Sequence, residues 1–160
     1  MKVFPWVSIY IYFSIMKFSQ YRINDTLKKN IESYGLHRPT DIQFKCIKPI
    51  LNGQDVLAIA QTGTGKTASF AIPILDLVVR NKGRSKGIYA LILAPTHELA
   101  RQIHQTFISL GKGMDAFSVC IYGGVNQKKQ IRQLKSGASI LIATPGRMFD
   151  LLQPGIDQYN

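Results

Sequence analysis

The sequence predicts an α/β fold with a mainly parallel sheet covered by helices, and three observations carry the prediction. From residue 55 onward, short apolar runs alternate with segments of helical periodicity, the signature of repeated strand–helix units. Two of those runs, YALILA (89–94) and SILIA (139–143), are continuous rather than alternating, as expected of strands buried on both faces. A third, DVLAIA (55–60), leads into AQTGTGKTASF (60–70), where two glycines, a lysine and a threonine open a helix.

Taken in order, Asn24 is placed to cap a first helix that carries Leu27, Ile31 and Tyr34 along one face and stops at Gly35. After the break HRP, Thr40 is placed to cap a second helix bearing Ile42, Cys46, Ile47 and Ile50, ending near Asn52 and Gly53. DVLAIA reads as a strand, and 66–80 as a helix that Pro73 must kink. NKGRSKG (81–87) is a polar, basic surface loop. YALILA follows as a strand, then a helix with Leu99, Ile103, Phe107 and Leu110 on one face. FSVCIY (117–122) is strand-like, VNQKKQIRQLK (125–135) helical and SILIA the last strand, with no internal repeat or low-complexity tract.

The chain's 160 residues are about one domain's worth, enough for a single sizeable core. Its 46% hydrophobic and 18% charged residues are ordinary for a globular protein. Twenty Lys and Arg against nine Asp and Glu leave +11, which favours polyanionic partners such as nucleic acid; scattered solvated charge is the plainer alternative. Cys46 and Cys120 lie far apart without framework spacing, as reduced core thiols of a cytoplasmic protein do. The opening MKVFPWVSIYIYFSI (1–15) is apolar but shorter than the ~20 residues of a membrane-spanning helix. It has a lone Lys2 and no small-residue cleavage site. It is read as an upstream extension or misplaced start ahead of Met16, with a membrane-associating peptide as the alternative.

In spacing, 60–67 is a P-loop in which Ala60 replaces the usual first glycine. Gly63 and Gly65 let the backbone turn tightly so that successive N–H groups point inward. The helix beginning at Lys66 presents its positive end to phosphate. Lys66 would reach the β- and γ-phosphates and the Thr67 hydroxyl would ligate Mg²⁺. The base is a separate question. In GLHRPTDIQ (35–43), the Gln43 amide can donate and accept together, matching the N6/N7 edge of adenine, and Phe18 offers a stacking face worth ~1–3 kcal/mol. Both admit plainer roles, Gln43 as a cap or surface amide and Phe18 as a core aromatic.

GLHRPTDIQ, AQTGTGKT, PTHELA (95–100), the pair Gly123-Gly124 and TPGR (144–147) stand in the order and spacing of DEAD-box RNA helicases. The chain resembles the bacterial type, over about residues 16–152. The resemblance implies a RecA-like domain and activity on ATP and RNA. In that family an isolated aromatic 17 residues upstream of the glycine of this glutamine motif stacks on the base, and Phe18 stands at that distance from Gly35. The nucleotide contacts it implies are Phe18, Arg38, Gln43, Ala60, Gln61, Thr62, Gly63, Thr64, Gly65, Lys66 and Thr67, with Lys66 and Thr67 catalytic and Thr67 on the metal. Pro95, Thr96, Gly123, Gly124, Thr144, Pro145, Gly146 and Arg147 fall to RNA. Each of those segments follows a candidate strand, and loops beyond carboxyl strand ends are where open α/β sheets bind ligands. Lys128, Lys129, Arg132 and Lys135 form either a solvated helix face or a direct RNA contact.

Two positions depart from the family pattern. Asp41 replaces a proline in a helix's first turn, where a carboxylate is favourable. His97 replaces an arginine and weakens any phosphate contact made there. No apolar strand ends in the Asp or Glu that hydrolysis needs for Mg²⁺: Asp76 falls inside a helix, and SILIA runs straight into TPGR. The family's DEAD segment is expected beyond TPGR, so the domain is read as incomplete at its C-terminus. The expected organisation is an extension (1–15), a glutamine-motif region (16–53) and a partial N-terminal RecA-like domain (54–160). No stable homo-oligomer and no membrane partner are expected. The rival readings are a non-catalytic nucleotide- or RNA-binding fragment or partial gene product, and another P-loop NTPase such as a GTPase, for which an Asn-Lys-x-Asp signature is missing.

Overall fold

The computed structural model describes residues 16–82 and 87–152; the apolar opening and the centre of the basic loop lie outside them. Two compact units are present, Met1–Leu77 and Val78–Asn160.

The first unit is helical. A 3-10 turn, Phe18–Gln20, precedes α1, Asp25–Ser33, whose cap is Asn24: its side chain accepts from the N–H groups of Thr26 and Leu27. Leu27 and Ile31 are buried as the spacing predicts, whereas Tyr34 is exposed. The second helix, α2 (Asp41–Leu51), is capped by Thr40 and buries Ile42, Gln43, Cys46 and Ile47. The third, α3 (Lys66–Arg80), runs unbroken through Pro73, and the boundary between the units falls within it. Ala71, Ile72 and Leu75 are its fully buried stripe, each large side chain stabilising by about 1.5–3 kcal/mol. Asp76 is also fully buried. It accepts the Asn24 N–H at 2.7 Å, fixing the residue that caps α1 from a position 52 residues away.

DVLAIA forms no strand. Residues 54–60 carry no regular structure, and Leu57 and Ile59 are 91% and 90% exposed. A strand exists only through its ladder partners, and none of the described residues pairs with this segment.

The second unit is the sheet. Strands β1 (Ala90–Leu93), β2 (Ser118–Ile121) and β3 (Ile140–Ala143) are all parallel in the order β1-β3-β2. Helices α4 (His97–Leu110) and α5 (Gln127–Lys135) make the crossovers, and α6 (Pro145–Leu152) follows β3. The central strand is buried throughout except at Leu141. The edge strand β1 alternates instead, with Leu91 and Leu93 half-exposed, so the continuous burial expected of YALILA holds for SILIA alone. On α4 the core face is Ala100, Ile103, Thr106, Phe107 and Leu110; Leu99 is exposed and the small Ala100 packs in its place. TPGR opens a helix: Pro145 is its first residue, a position where the missing N–H costs nothing.

Candidate functional site

In the first unit the phosphate loop turns on Gly63 and Gly65, with φ of +80° and +81°, backbone that costs side chains bearing a Cβ about 1–2 kcal/mol. Gly65 has a second reason to be glycine, because a Cβ there would collide with the Gln43 amide nitrogen. Gln43 is fully buried. Its Oε1 accepts the Thr40 N–H at 2.9 Å and its Nε2 donates to the Gly65 carbonyl at 3.2 Å. The Thr40 hydroxyl donates to the neighbouring Thr64 carbonyl at 2.9 Å. The cap of α2 thus grips two consecutive carbonyls of the loop. This grip was not part of the reading of GLHRPTDIQ. Its local half was within reach, since threonine followed three residues on by glutamine is a capping-box signature.

Lys66 Nζ donates to the carbonyls of Ala60 (2.5 Å) and Gln61 (2.6 Å), and the Thr64 hydroxyl also reaches the Gln61 carbonyl. Phosphate oxygens are anionic and stronger acceptors than neutral carbonyls, so an arriving phosphate can draw the ammonium from its own loop. Donor chemistry therefore suits a polyphosphate. For a divalent cation the loop offers the half-buried hydroxyl of Thr67, and no group of three or more His, Cys, Asp or Glu is arranged for metal binding among the described residues.

Phe18 is buried, its ring centroid 6.2 Å from that of Tyr21. It lines a hollow of about 220 Å³ with Lys28, Lys29, Leu36 and His37, a hollow in which Gln43 takes no part. Arg38 is exposed. Among the nucleotide candidates, then, Gln43 joins the phosphate loop and Phe18 faces a different space.

In the second unit the three remaining segments share one end of the sheet. Leu93 and Ile121 both pair with Ala143, so PTHELA, Gly123-Gly124 and TPGR leave the carboxyl ends of adjacent strands at the same level. Two hydrogen bonds tie those ends, Ala94 N–H to the Ala143 carbonyl (2.9 Å) and Thr144 N–H to the Ile121 carbonyl (3.1 Å). Thr96 caps α4 by accepting the Leu99 N–H. Pro95, Thr96 and Gly146 are exposed, Thr144 is buried, and Gly124 is exposed at φ +77°. The His97 ring packs on Tyr122, centroids 5.4 Å apart, and sits beside Gly123.

Arg147 is oriented from within. Its Nε donates to Gln130 Oε1 at 2.9 Å and a terminal nitrogen to the Val125 carbonyl at 3.0 Å. Gln130, buried, passes the link on by donating from Nε2 to the Tyr122 carbonyl at 3.1 Å. One guanidinium and one amide therefore join the start of α6 to the loop after β2. Neither Gln130 nor Tyr122 stood out in the sequence. Below these loops a cavity of about 660 Å³ is bordered by Arg101, His104, Cys120, Lys129 and Gln133. Burial pushes the Cys120 thiol up to about 11 against a smaller lowering by Arg101, so it stays a protonated thiol near neutral pH.

Comparison with known proteins places these segments in a family context. The DEAD/DEAH box helicase family matches residues 40–159. The chain is 46% identical over 140 residues to the ATP-dependent rRNA helicase RRP3 of Saccharomyces cerevisiae, covering 88% of this chain and 27% of that protein. To RRP3 of Eremothecium gossypii it is 47% identical over 139 residues, 85% of this chain and 28% of that one. The chain thus spans about a quarter of the length of these relatives. Among solved structures, a DEAD box protein from the hyperthermophile Methanococcus jannaschii superposes with a TM-score of 0.78 at 42% identity, over 86% of this chain and 37% of that one. A hypothetical ATP-dependent RNA helicase from Sulfolobus tokodaii gives 0.74 at 36% identity, over 84% and 38%.

Proposed function

The chain belongs to the DEAD/DEAH box helicase family, and from that premise we propose that it supplies the ATP- and RNA-binding part of an ATP-dependent RNA helicase. RNA-dependent ATP hydrolysis and duplex unwinding are activities of the longer protein on this reading. The observation that carries it is the common level at which PTHELA, Gly123-Gly124 and TPGR leave three adjacent parallel strands, since a phosphate loop alone would fit many nucleotide-binding proteins.

Gly63, Gly65 and the amides of 60–67 enclose the phosphates, Lys66 neutralises them, and the Thr67 hydroxyl joins them in holding Mg²⁺, which when bound would screen the triphosphate's charge. Gln43, Phe18 and Arg38 are assigned to adenine, Phe18 from a hollow that neither Gln43 nor Arg38 lines. Pro95, Thr96, Gly123, Gly124, Thr144, Pro145, Gly146 and Arg147 hold the ribose–phosphate strand: exposed amides at the starts of α4 and α6 favour anions, and Arg147 adds a charge-assisted contact. The glutamine-motif region (16–53) and the partial RecA-like domain (54–160) divide these tasks. The setting is cytoplasmic, supported by two unpaired thiols and by a charge of +11 suited to RNA.

Photo-crosslinking of oligouridylate to Met1–Asn160 tests the RNA assignment. Adducts are expected at 95–96, 123–124 and 144–147. Adducts confined to other residues would overturn it.

A further inference from the structure

Between Ala116 and Phe149 there are five basic residues and no acidic one. Arg147 is turned inward to Gln130 and Val125; the other four stand on α5. The rotation of that helix is fixed by its inner side. Gln130 donates to the Tyr122 carbonyl, and Leu134, four residues on, packs against Val119, Ile121, Ala138 and Ala143. Lys128, Arg132 and Lys135, spaced i, i+4, i+7, therefore gather on the outward face, and all three are exposed. Arg132 Nε donates to the Lys128 carbonyl at 3.4 Å.

Two features make this face unfavourable as mere solvated surface. Like charges at i, i+4 repel, and α5 has no acidic residue of its own to offset them. The first turn holds Lys128 and Lys129 with no acidic residue, where cations oppose the helix dipole, whereas Arg132 and Lys135 stand in the last turn, where the dipole favours them. A polyanion lying on the face relieves both. The stripe spans about 10 Å at 1.5 Å per residue, the axial length of about three phosphates of a stacked strand. It also begins at the right place, because Asn126 caps α5 two residues beyond Gly124, at the end of the sheet where the three loops emerge.

We propose that Lys128, Arg132 and Lys135 form a second, sequence-independent contact surface for the RNA backbone, taking the strand where it leaves the Gly123-Gly124 loop along the outer side of α5. This rests on the loops holding RNA, and the test separates the two claims. Fluorescein-labelled oligouridylate, in a short form that covers only the loops and a longer form, is titrated with the 160-residue chain over a salt series. In the triple variant K128Q/R132Q/K135Q the long RNA should bind more weakly, with the slope of log affinity against log salt shallower by about 2, the release of counterions from three single-strand phosphates. The short RNA should be unaffected. Arg132→Lys should keep the wild-type slope, and Lys135→Gln alone should lower it by about 0.7, so a failure of the triple variant to fold still leaves a reading. Unchanged affinity and slope for the long RNA, with Arg147→Ala weakening both RNAs, would overturn the α5 surface and leave the loops standing. Wild-type binding of neither RNA would remove both. Polyglutamate binding as tight as the long RNA, and equally lost in the triple variant, would show a surface for acidic protein and overturn the RNA assignment.

Discussion

Gln43 shows how much chemistry one side chain can carry. Its buried amide meets the Thr40 N–H on one side and the Gly65 carbonyl on the other, so it shapes the phosphate loop whatever it also does for adenine. Gln43→Ala is expected to strand both partners, which are part-buried, at about 1 kcal/mol for each hydrogen bond lost, and to lower the urea midpoint accordingly. On the proposed function it also narrows the preference for ADP over GDP, by about the ~1–3 kcal/mol of one bidentate base contact. Loss of stability with an unchanged ADP/GDP ratio would leave Gln43 as a loop clamp alone. Gly65→Ala should reproduce the loss of stability, through its positive φ and the collision with the same amide. Lys66 and Thr67 were legible because the motif fixes their spacing. The partner of the Gln43 amide was not, because it lies 22 residues away and only the fold joins them. Tyr21 is illegible for a related reason: its hydroxyl is buried with no hydrogen-bond partner among the described residues. Burial alone pushes its pKa up to about 12.

At the scale of elements, the caps at Asn24, Thr40 and Thr96 and the strands around 90–93, 118–121 and 140–143 follow the sequence closely. Each is specified by residues within a few positions of itself. DVLAIA has the composition of a strand and lacks a ladder among the described residues, and composition cannot supply one. The helix that Pro145 opens was within reach of the sequence, since proline is favoured at a helix's first position. The link from Arg147 through Gln130 to Tyr122 joins three elements by two polar side chains, and no periodicity announces it. Gln130→Leu should leave the Tyr122 carbonyl and the Arg147 Nε without their partner. A loss of about 1–3 kcal/mol in urea unfolding is expected, together with weaker oligouridylate binding. Loss of stability alone would make Gln130 a packing residue only.

Across the whole molecule, chemistry is divided between a helical unit that holds the phosphate loop and a sheet unit that carries the three strand-end loops. On the proposed function, RNA affinity should be steeply salt-dependent, because each phosphate neutralised by a Lys or Arg releases counterions. Alkali should loosen the fold. The Cys120 and Tyr21 pKa values rise from 9.0 and 10.0 to about 11 and about 12, so above pH 9 the unfolded chain gives up these protons first. Fewer protons on the unfolded state means stability falling with pH. Both contributions are fully present below pH 9 and decline towards pH 12; Tyr21→Phe should flatten the upper part of that decline in a urea-midpoint series. Met1–Asn160 is also expected to release negligible phosphate from ATP, with or without RNA, on the reading that no apolar strand in its sequence ends in an Asp or Glu to hold Mg²⁺ with Thr67. RNA-stimulated turnover abolished by Lys66→Ala would contradict that. The central claim, a phosphate loop that selects an adenine nucleotide, is tested most directly by titrating Met1–Asn160 and Lys66→Ala with fluorescent ADP and GDP. Saturable ADP binding, weaker GDP binding, and a loss of roughly tenfold or more for both in Lys66→Ala are predicted, the loss following from one charge-assisted contact. Equal affinity for ADP and GDP, or ADP binding indifferent to Lys66→Ala, would contradict the account.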